Sequence, residues 1–202
     1  MISDLMTLLH GTDRMATSVE DIDRCRSDSD LTSFSDHPSP LIRGAVAAHP
    51  SASVLTLRYL RGDPDASVRA AVANHSHTAS ATLWQMASDP DPAVRKVVAG
   101  NMNTPPCALV LLANTNDPDV LPLVARHPAT STDVLERLSR HESTCVRAAV
   151  ARNPATPDRL LVDMANDPST EVAMAVCVRQ RRFASLHAAS RRTLLLTAWE
   201  GA

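Results

Sequence analysis

The chain has few aromatic residues, few glycines and almost no lysine. Aromatic side chains make up 2% of its 202 residues, whereas hydrophobic residues make up 44%. A core must therefore be built from Val, Leu, Ala and Met, which suits closely stacked short helices. Lys96 is the only lysine among 20 basic residues, and this composition is typical of a GC-rich bacterial genome.

The scarcity of glycine bears on catalysis. Five glycines provide no Gly-rich phosphate loop, and the chain also lacks GxSxG, HExxH and paired-cysteine motifs. The sequence therefore predicts a protein that is not an enzyme. A small enzyme that uses scattered histidines or cysteines is an alternative with no motif behind it.

Cysteine and membrane-spanning segments are also sparse. Cys25, Cys107, Cys145 and Cys177 form no CxxC pair, so we expect reduced, mostly buried thiols in a cytoplasmic protein. No apolar run approaches the length of a membrane span, and the N-terminus lacks a basic start followed by a signal-like core. The sequence therefore predicts no membrane association.

Charge is nearly balanced overall but uneven along the chain. The net charge of −2 argues against a strong preference for nucleic acid or membrane. Residues 4–36 carry eight acidic residues, whereas residues 179–192 carry five arginines and no acid. This layout would allow weak head-to-tail contacts between copies, but the sequence leaves the oligomeric state open.

A 26-residue motif repeats along the chain without insertions. The slot that opens it holds Ile42, Val68, Val94, Val120, Val146 and Val172. Four positions later come Val46, Val72, Val98, Val124, Val150 and Val176. A leucine slot then reads Leu57, Leu83, Leu109, Leu135 and Leu161. Six copies in register indicate a tandem repeat protein.

Each repeat predicts two short helices. The first opens at an aspartate near a proline, as at Asp63-Pro64-Asp65, because aspartate caps free amides and proline tolerates the first turn. It ends before a proline at His49, His127 and Asn153. Threonine is the expected N-cap of the second helix, at Thr78, Thr104, Thr130 and Thr156. In repeat 4, Pro122 predicts a ragged or bent first helix.

Residues 146–157, Val-Arg-Ala-Ala-Val-Ala-Arg-Asn-Pro-Ala-Thr-Pro, resemble the leucine-rich repeat variant family. The resemblance extends over roughly 36–180, and the chain is similar to HEAT-like arrays more loosely. It implies an all-α, right-handed superhelical solenoid of about six two-helix repeats, in which the shorter helices are partly 3₁₀. A known family member carries an iron–sulphur cluster in a Cys-rich N-terminal segment. This chain has only Cys25 there, so no cofactor is expected.

The ends of the chain depart from the repeat, as terminal repeats generally do. Stepping back 26 residues from Leu57 and Leu60 reaches Leu31 and Phe34, which predicts a degraded repeat. We therefore divide the chain into an acidic N-terminal cap (1–35), a solenoid (36–180) and a C-terminal helical cap with a basic start (181–202).

Two polar slots recur in the repeats. One holds Arg43, Arg69, Arg95 and Arg147. It is either a cationic stripe or a set of pairs with helix-start acids such as Asp65 and Asp91, or with the next repeat. The other holds His49, His75, Asn101, His127 and Asn153. Neighbouring repeats stand about 8–10 Å apart, too far to share a metal ion bonded at about 2 Å. We expect this slot to satisfy loop amides and carbonyls, and no metal site.

The residues at two outward positions of the second helices differ from repeat to repeat, whereas the positions predicted to be buried keep the same residue types. These slots hold the candidate partner-binding residues Tyr59, Trp84, Val110, Leu111 and Arg137. Exposed aromatic residues suit binding to another protein, so a non-enzymatic scaffold with a protein partner is the main hypothesis. The alternative is that one residue of each pair packs against the neighbouring helix.

Nucleic acid is the alternative partner. The candidate anion-binding residues are Arg152, Arg179, Arg181, Arg182, Arg191 and Arg192. Such binding would weaken steeply with salt. The overall acidity and the lack of interleaved aromatic residues count against it.

Overall fold

The described part of the chain is entirely helical. The computed structural model describes residues 19–25 and 27–179, and no strand occurs in these ranges. The predicted all-α fold is therefore confirmed. The right-handed superhelical course and the domain boundaries at residues 35 and 180 stay predictions.

The helices fall in two compact units, residues 1–108 and residues 109–202. The described helices of the first unit are α1 (Val19–Asp23), α2 (Asp28–Thr32), α3 (Pro40–Ala48), α4 (Val54–Leu60), α5 (Ala66–Asn74), α6 (Ser80–Met86) and α7 (Pro92–Gly100). Helix α8 (Pro106–Asn114) begins in the first unit and ends in the second. The described helices of the second unit are α9 (Leu121–Arg126), α10 (Thr132–Leu138), α11 (Thr144–Arg152), α12 (Asp158–Met164) and α13 (170–179).

The first helices of successive repeats stack on one another. Helix α3 packs against α5 and α5 against α7, while in the second unit α9 packs against α11. Most first helices have nine residues, and most second helices have seven. Isolated helices of this length are marginal in water, so packing between repeats must stabilise them.

The periodic apolar slots form the core. In α5, Val68, Val72 and Ala73 are fully buried, and in α4 Leu57 and Leu60 are almost so. Burying one Val or Leu side chain contributes about 1.5–3 kcal/mol. The core therefore depends on many moderate contributions, as the scarcity of aromatic residues implied.

Aspartate caps two of the first helices, α5 and α7, as predicted. The Asp65 carboxylate accepts the Ser67 amide at 2.8 Å, and the Asp91 carboxylate accepts the Ala93 amide at 2.8 Å. These bonds satisfy amides that have no carbonyl partner within the helix.

The threonine that precedes four of the second helices has another role than the predicted N-cap. Its buried hydroxyl donates to the carbonyl six residues earlier at 2.5–2.6 Å; the donors are Thr78, Thr104, Thr130 and Thr156. The last carbonyls of the first helix lack helical partners inside a buried junction. The threonine satisfies one of them, so the N-cap prediction was wrong.

The first helix of repeat 4 is short and begins late, where the sequence predicted a ragged or bent helix. Helix α9 has six residues and begins at Leu121, with Pro122 in its first turn. Asn116 precedes it with a φ of 55°, in the left-handed region that asparagine tolerates better than most residues.

The N-terminal segment keeps half a repeat. Leu31 in α2 is fully buried, as the 26-residue spacing predicted. The Asp28 carboxylate accepts the Ser53 amide at 2.8 Å and the Thr56 hydroxyl at 2.7 Å. These bonds fix α2 to the start of α4.

The cysteines differ from the expectation of burial. All four are free thiols, but Cys107, Cys145 and Cys177 are exposed and Cys25 is partly exposed. Their slots face outward from the helices, where a small side chain is tolerated without being needed for packing.

The second helices also differ from what the family resemblance implied. They are α-helical over the described residues. Bonds to the third preceding residue occur at their ends, as from the Thr82 amide to the Ala79 carbonyl at 2.9 Å. The expected 3₁₀ helices are therefore replaced by α-helices with tight terminal turns.

Candidate functional site

The second helix of the first complete repeat exposes an apolar face. Helix α4 buries Thr56, Leu57 and Leu60, so positions 54, 55, 58 and 59 point to solvent. Leu55 is 68% exposed and Tyr59 is 60% exposed, and Val54 is also exposed. Exposed apolar side chains grouped on one face are typical of binding surfaces.

Trp84 occupies the corresponding face of the next second helix. Helix α6 buries Leu83 and Met86, whereas Trp84 is 47% exposed. We call Val54, Leu55, Tyr59 and Trp84 the apolar wall of the first unit. The sequence predicted Tyr59 and Trp84 but missed the two aliphatic residues, which lie one turn before Tyr59.

Tyr59 is held by a hydrogen bond at its tip. Its hydroxyl donates to the Asp36 carboxylate, and this bond raises the pKa of Tyr59 above its usual value. The ring remains largely exposed. Tyr59 therefore combines contact with the turn before α3 and exposure to solvent, which the sequence had offered as alternatives.

Two arginines next to the apolar wall have no partner within the described residues. Arg58 is exposed and Arg61 is half-buried. Neither side chain forms a hydrogen bond or ion pair within residues 19–25 and 27–179. Both charges remain available to an acidic group.

The second unit presents a more charged face. Val110 and Leu111 are 38% and 39% exposed. Arg137 donates to the Asn114 side chain at 2.8 Å. Glu136 lies 3.3 Å from Arg159 and 3.8 Å from Arg140. Glu136 therefore pairs with two arginines of this face, whereas Arg137 is held by a neutral side chain.

The arginine slot is structural. The Arg69 guanidinium binds both oxygens of Asp89 at 2.8 and 2.9 Å. It also donates to the carbonyls of Asp63 and Pro64. Arg43 and Arg147 repeat this arrangement with Asp63 and Asp167. In each pair the aspartate lies 20 residues after the arginine, in the next repeat. The alternative prediction, pairing within the helix with Asp65 or Asp91, was therefore wrong.

These pairs are mostly buried, and they shift the pKa of the groups involved. The side chains of Asp89 and Asp167 are 6% and 8% exposed. The hydrogen bond from Arg147 is the main effect that lowers the pKa of Asp167. Burial raises the pKa of Asp89, but the bonds from Arg69 and the Asp91 amide outweigh it and the net shift is downward. The charges of Arg43, Arg69 and Arg147 are therefore neutralised, and Arg95 donates to the carbonyls of Asp89 and Pro90.

The His/Asn slot links successive repeats, as predicted. His75 Nε2 lies 3.0 Å from the His49 carbonyl, and its Nδ1 accepts the His77 amide. Asn153 Nδ2 donates to the carbonyls of Ala125 and His127 at 2.6 and 2.8 Å. Each side chain thus joins its own turn to the turn of the preceding repeat.

Arg179 occupies this same slot in the sixth repeat. It donates to the carbonyls of Asn153, Pro154 and Thr156. Burial lowers the pKa of its guanidinium. The other described residue of the anion-binding hypothesis, Arg152, pairs with Glu171 at 3.1 Å. Arg181, Arg182, Arg191 and Arg192 lie outside the described residues.

A recess beside Tyr59 was missed by the sequence analysis. It measures about 380 Å³, and its lining includes Ser35, Asp36, His37, Arg43 and Tyr59. Ser35 is 4% exposed, and its Oγ has no hydrogen-bond partner; neither does the buried Nε2 of His37. The available signal was that position 37 holds histidine where positions 63, 89 and 167 hold aspartate.

The described residues form neither a metal-binding cluster nor a membrane-spanning helix. Residues 19–25 and 27–179 contain no group of three or more His, Cys, Asp or Glu side chains able to hold a metal ion. Within the same residues, no helix is both long and apolar enough to cross a membrane.

Comparisons with known proteins support the repeat type. The family model described as leucine rich repeat variant matches residues 146–169, which confirms the resemblance over α11 and α12. A solved structure titled "A leucine-rich repeat variant with a novel repetitive protein structural motif" is similar at 24% identity, with a TM-score of 0.45, over 76% of this chain and 72% of that chain. No curated protein matches.

Proposed function

We propose that this helical-repeat protein is a non-enzymatic scaffold that binds a protein partner through the exposed faces of its second helices. The apolar wall of the first unit carries the proposal. Tyr59 and Trp84 are its anchors, and Val54 and Leu55 extend it. In the second unit, Val110, Leu111 and Arg137 are proposed as further contact residues.

The composition of the chain supports this assignment. The protein has one tyrosine and two tryptophans in 202 residues, and Tyr59 and Trp84 lie on an exposed face. Aromatic residues are over-represented among the residues that dominate binding energy. Because the core does not use these two side chains, their placement favours a role in recognition.

The same surface indicates features of the partner. Arg58 and Arg61 have no acidic partner within the described residues, so a partner segment with apolar residues and an acidic residue would be complementary. The free thiols of Cys25, Cys107, Cys145 and Cys177 fit a reducing compartment, and we propose the cytoplasm.

A photo-crosslinking amino acid at Gln85, an exposed neighbour of Trp84, tests the proposal in cells that express the protein naturally. We expect one protein to be captured there, and to be lost when Tyr59→Ala and Trp84→Ala are added. The matched control is Met102→Ala, because Met102 is 70% exposed but lies in the loop after α7. Equal capture by the double variant, or no capture at Gln85, would refute the proposed surface.

A further inference from the structure

Arg61 differs from the residue that the repeat places at its position. The equivalent positions of the other repeats hold a serine or an alanine: Ser35, Ala87, Ala113, Ser139 and Ala165. All of these except Ala165 are at most 8% exposed. Arg61 is half-buried, so a long cationic side chain starts where the repeat needs only a small buried one. Packing of the repeat therefore does not require an arginine there.

The end of helix α4 does not require the arginine either. The Arg61 amide closes the helix by donating to the carbonyls of Leu57 and Tyr59, and a positive charge is favourable at a helix C-terminus. Helix α6 ends at the same position with Ala87, whose amide makes the equivalent two bonds. The capping bonds thus belong to the backbone, and the charge has another use.

Arg61 lines an open recess at the ends of α4 and α6. The recess measures about 410 Å³, and its other lining residues are Gln85, Met86, Ser88, Asp89 and Pro90. Gln85 and Ser88 are exposed. Like Arg61, they form no side-chain hydrogen bond or ion pair within the described residues. Three polar side chains that solvent can reach therefore lie at one recess without a partner in the described part of the chain.

The one acid of the lining is already paired. The Asp89 carboxylate accepts the Arg69 guanidinium at 2.8 and 2.9 Å and the Asp91 amide at 2.9 Å. Its side chain is 6% exposed. Arg61 therefore carries the unmatched charge among the residues that line this recess.

These groups select among possible ligands. A guanidinium, a carboxamide and a hydroxyl can all donate hydrogen bonds, so an oxyanion could accept from Arg61, Gln85 and Ser88. An ammonium group would be repelled by Arg61. A phosphate dianion would exceed the single positive charge, and it would lie near Asp89 and near helix C-termini, which disfavour anions. A carboxylate matches the charge, and its two oxygens suit paired guanidinium donors.

We infer that this recess binds the carboxylate of an aspartate or glutamate side chain of the partner protein. The inference rests on the proposed function, because Gln85 directly follows Trp84 and Arg61 lies two residues after Tyr59, at the edge of the apolar wall. It assigns recognition of the acid to Arg61, since Arg58 does not line the recess. A charged contact beside apolar anchors fixes the register of the partner and excludes segments without an acid.

Two matched substitutions isolate the recess. Arg61→Ala places at position 61 the residue found at Ala87 and Ala113, so the variant should fold. Arg58→Ala removes the same charge beside the same wall but leaves the recess intact. The urea midpoints of both variants should stay close to that of the unaltered protein, because neither guanidinium has a partner within the described residues.

The direct test is a titration of the full-length protein with propionate at constant ionic strength. The side-chain 1H–15N signals of Arg61 and Gln85 report binding. For a probe of five heavy atoms we expect a dissociation constant on the order of 10–100 mM. The shift of the Gln85 signal should disappear in Arg61→Ala and persist in Arg58→Ala.

Phosphate should bind more weakly than propionate, and propionamide should leave both signals unchanged. Three results would overturn the inference: no shift with propionate, an equal shift of the Gln85 signal in Arg61→Ala, or tighter binding of phosphate than of propionate.

The captured partner tests the source of the carboxylate. A crosslinker at Gln85 lies in the lining of the recess, so the partner peptide attached there should contain the aspartate or glutamate. We expect Arg61→Ala to weaken the complex about 5- to 20-fold, and Arg58→Ala less than about 3-fold. Replacing the partner's acid by alanine should add no further loss in Arg61→Ala.

The two proposals fail in different ways. Additive losses from Arg61→Ala and from the partner's acid, or equal losses in Arg61→Ala and Arg58→Ala, would place the carboxylate elsewhere. Tyr59→Ala with Trp84→Ala would still abolish binding in that case, so the proposed function would stand while the inference fell.

Discussion

The second helices of the two units bury the same slots but present different surfaces. The first unit exposes Leu55, Tyr59 and Trp84, and Arg58 has no ion pair within the described chain. The second unit places Glu136 and Arg137 at the slots of Trp84 and Tyr59.

This difference shows that the buried positions of the repeat and its outward positions are under different constraints. Core packing restricts which residues the buried positions can hold, because a change of side-chain volume there disturbs packing against the neighbouring repeat. Outward positions have no such constraint. Glu136 pairs with Arg140 and Arg159, whereas Arg58 and Arg61 of the first unit form no ion pair within the described residues. The first unit is therefore the stronger candidate for recognition.

Exchanging the two surfaces should have the largest effect. Tyr59→Arg with Trp84→Glu places on the first unit the side chains of Arg137 and Glu136. We expect partner affinity to fall at least about 100-fold, because two aromatic anchors are lost, while the urea midpoint changes little, because Tyr59 and Trp84 are 60% and 47% exposed. Isothermal titration calorimetry with the crosslinked partner measures this. The control is Glu136→Ala with Arg137→Ala in the second unit; an equal loss there would erase the distinction between the units.

The buried ion pair should give the next largest effect, in stability. Arg69→Leu leaves the Asp89 carboxylate, 6% exposed, without its guanidinium, and we expect a loss of about 3–5 kcal/mol in the free energy of unfolding. The second unit contains a natural replacement, since Leu121 stands at the arginine slot and His141 at the position 20 residues later. His141 still accepts the Ser143 amide at 3.1 Å, as Asp89 accepts the Asp91 amide at 2.9 Å.

Adding Asp89→His to Arg69→Leu should therefore recover most of that stability. The histidine keeps the turn bond and removes the buried charge. Urea unfolding of both variants measures the recovery. If the double variant is as unstable as Arg69→Leu alone, a leucine and a histidine at these two positions do not replace the arginine–aspartate pair in stabilising the fold.

The His/Asn slot should give a moderate effect. Asn153 is 1% exposed, and Asn153→Ala leaves two carbonyls and the Ala155 amide without their bonds, at a cost of about 2–3 kcal/mol. Asn153→His should cost less than about 1 kcal/mol, because His75 makes the same kind of contacts in the first unit. Chemical denaturation measures the free energy of unfolding of both variants. Equal losses of stability would mean that side-chain volume, and not hydrogen bonding, determines which residue is tolerated at position 153.

Much of the frame could be predicted from the sequence. The 26-residue spacing identified the buried positions, because a residue that packs on its own copy in the next repeat cannot drift in register. Proline identified the helix ends, since it restricts the residue before it. The role of Thr78 could not be read in this way, because a threonine before a helix suits both an N-cap and a bond to a preceding carbonyl.

The candidate site was less predictable. Tyr59 and Trp84 stood out as aromatic residues in variable slots, but Leu55 did not, because leucine also fills the buried slots. Ser35 and His37 carry no motif. Their side-chain atoms are buried without hydrogen-bond partners. This is a property of packing, which the sequence does not display.

Acid should produce the smallest difference between the units. The pKa values of Asp63 and Asp89 in the first unit and Asp167 in the second are lowered in the folded protein. A lowered folded pKa contributes stability that is present above the unfolded value of about 3.9 and lost as the pH falls through the folded value. Among the described pairs, the first unit has two and the second has one, so hydrogen exchange below about pH 4 should show an earlier loss of protection in the first unit.

The Arg69→Leu, Asp89→His variant sharpens this test, because it leaves each unit with one such described pair. The difference in acid sensitivity between its two units should therefore shrink. If the unaltered protein already loses protection equally in both units, the arginine–aspartate pairs do not govern acid stability, and packing at the apolar slots becomes the explanation to test.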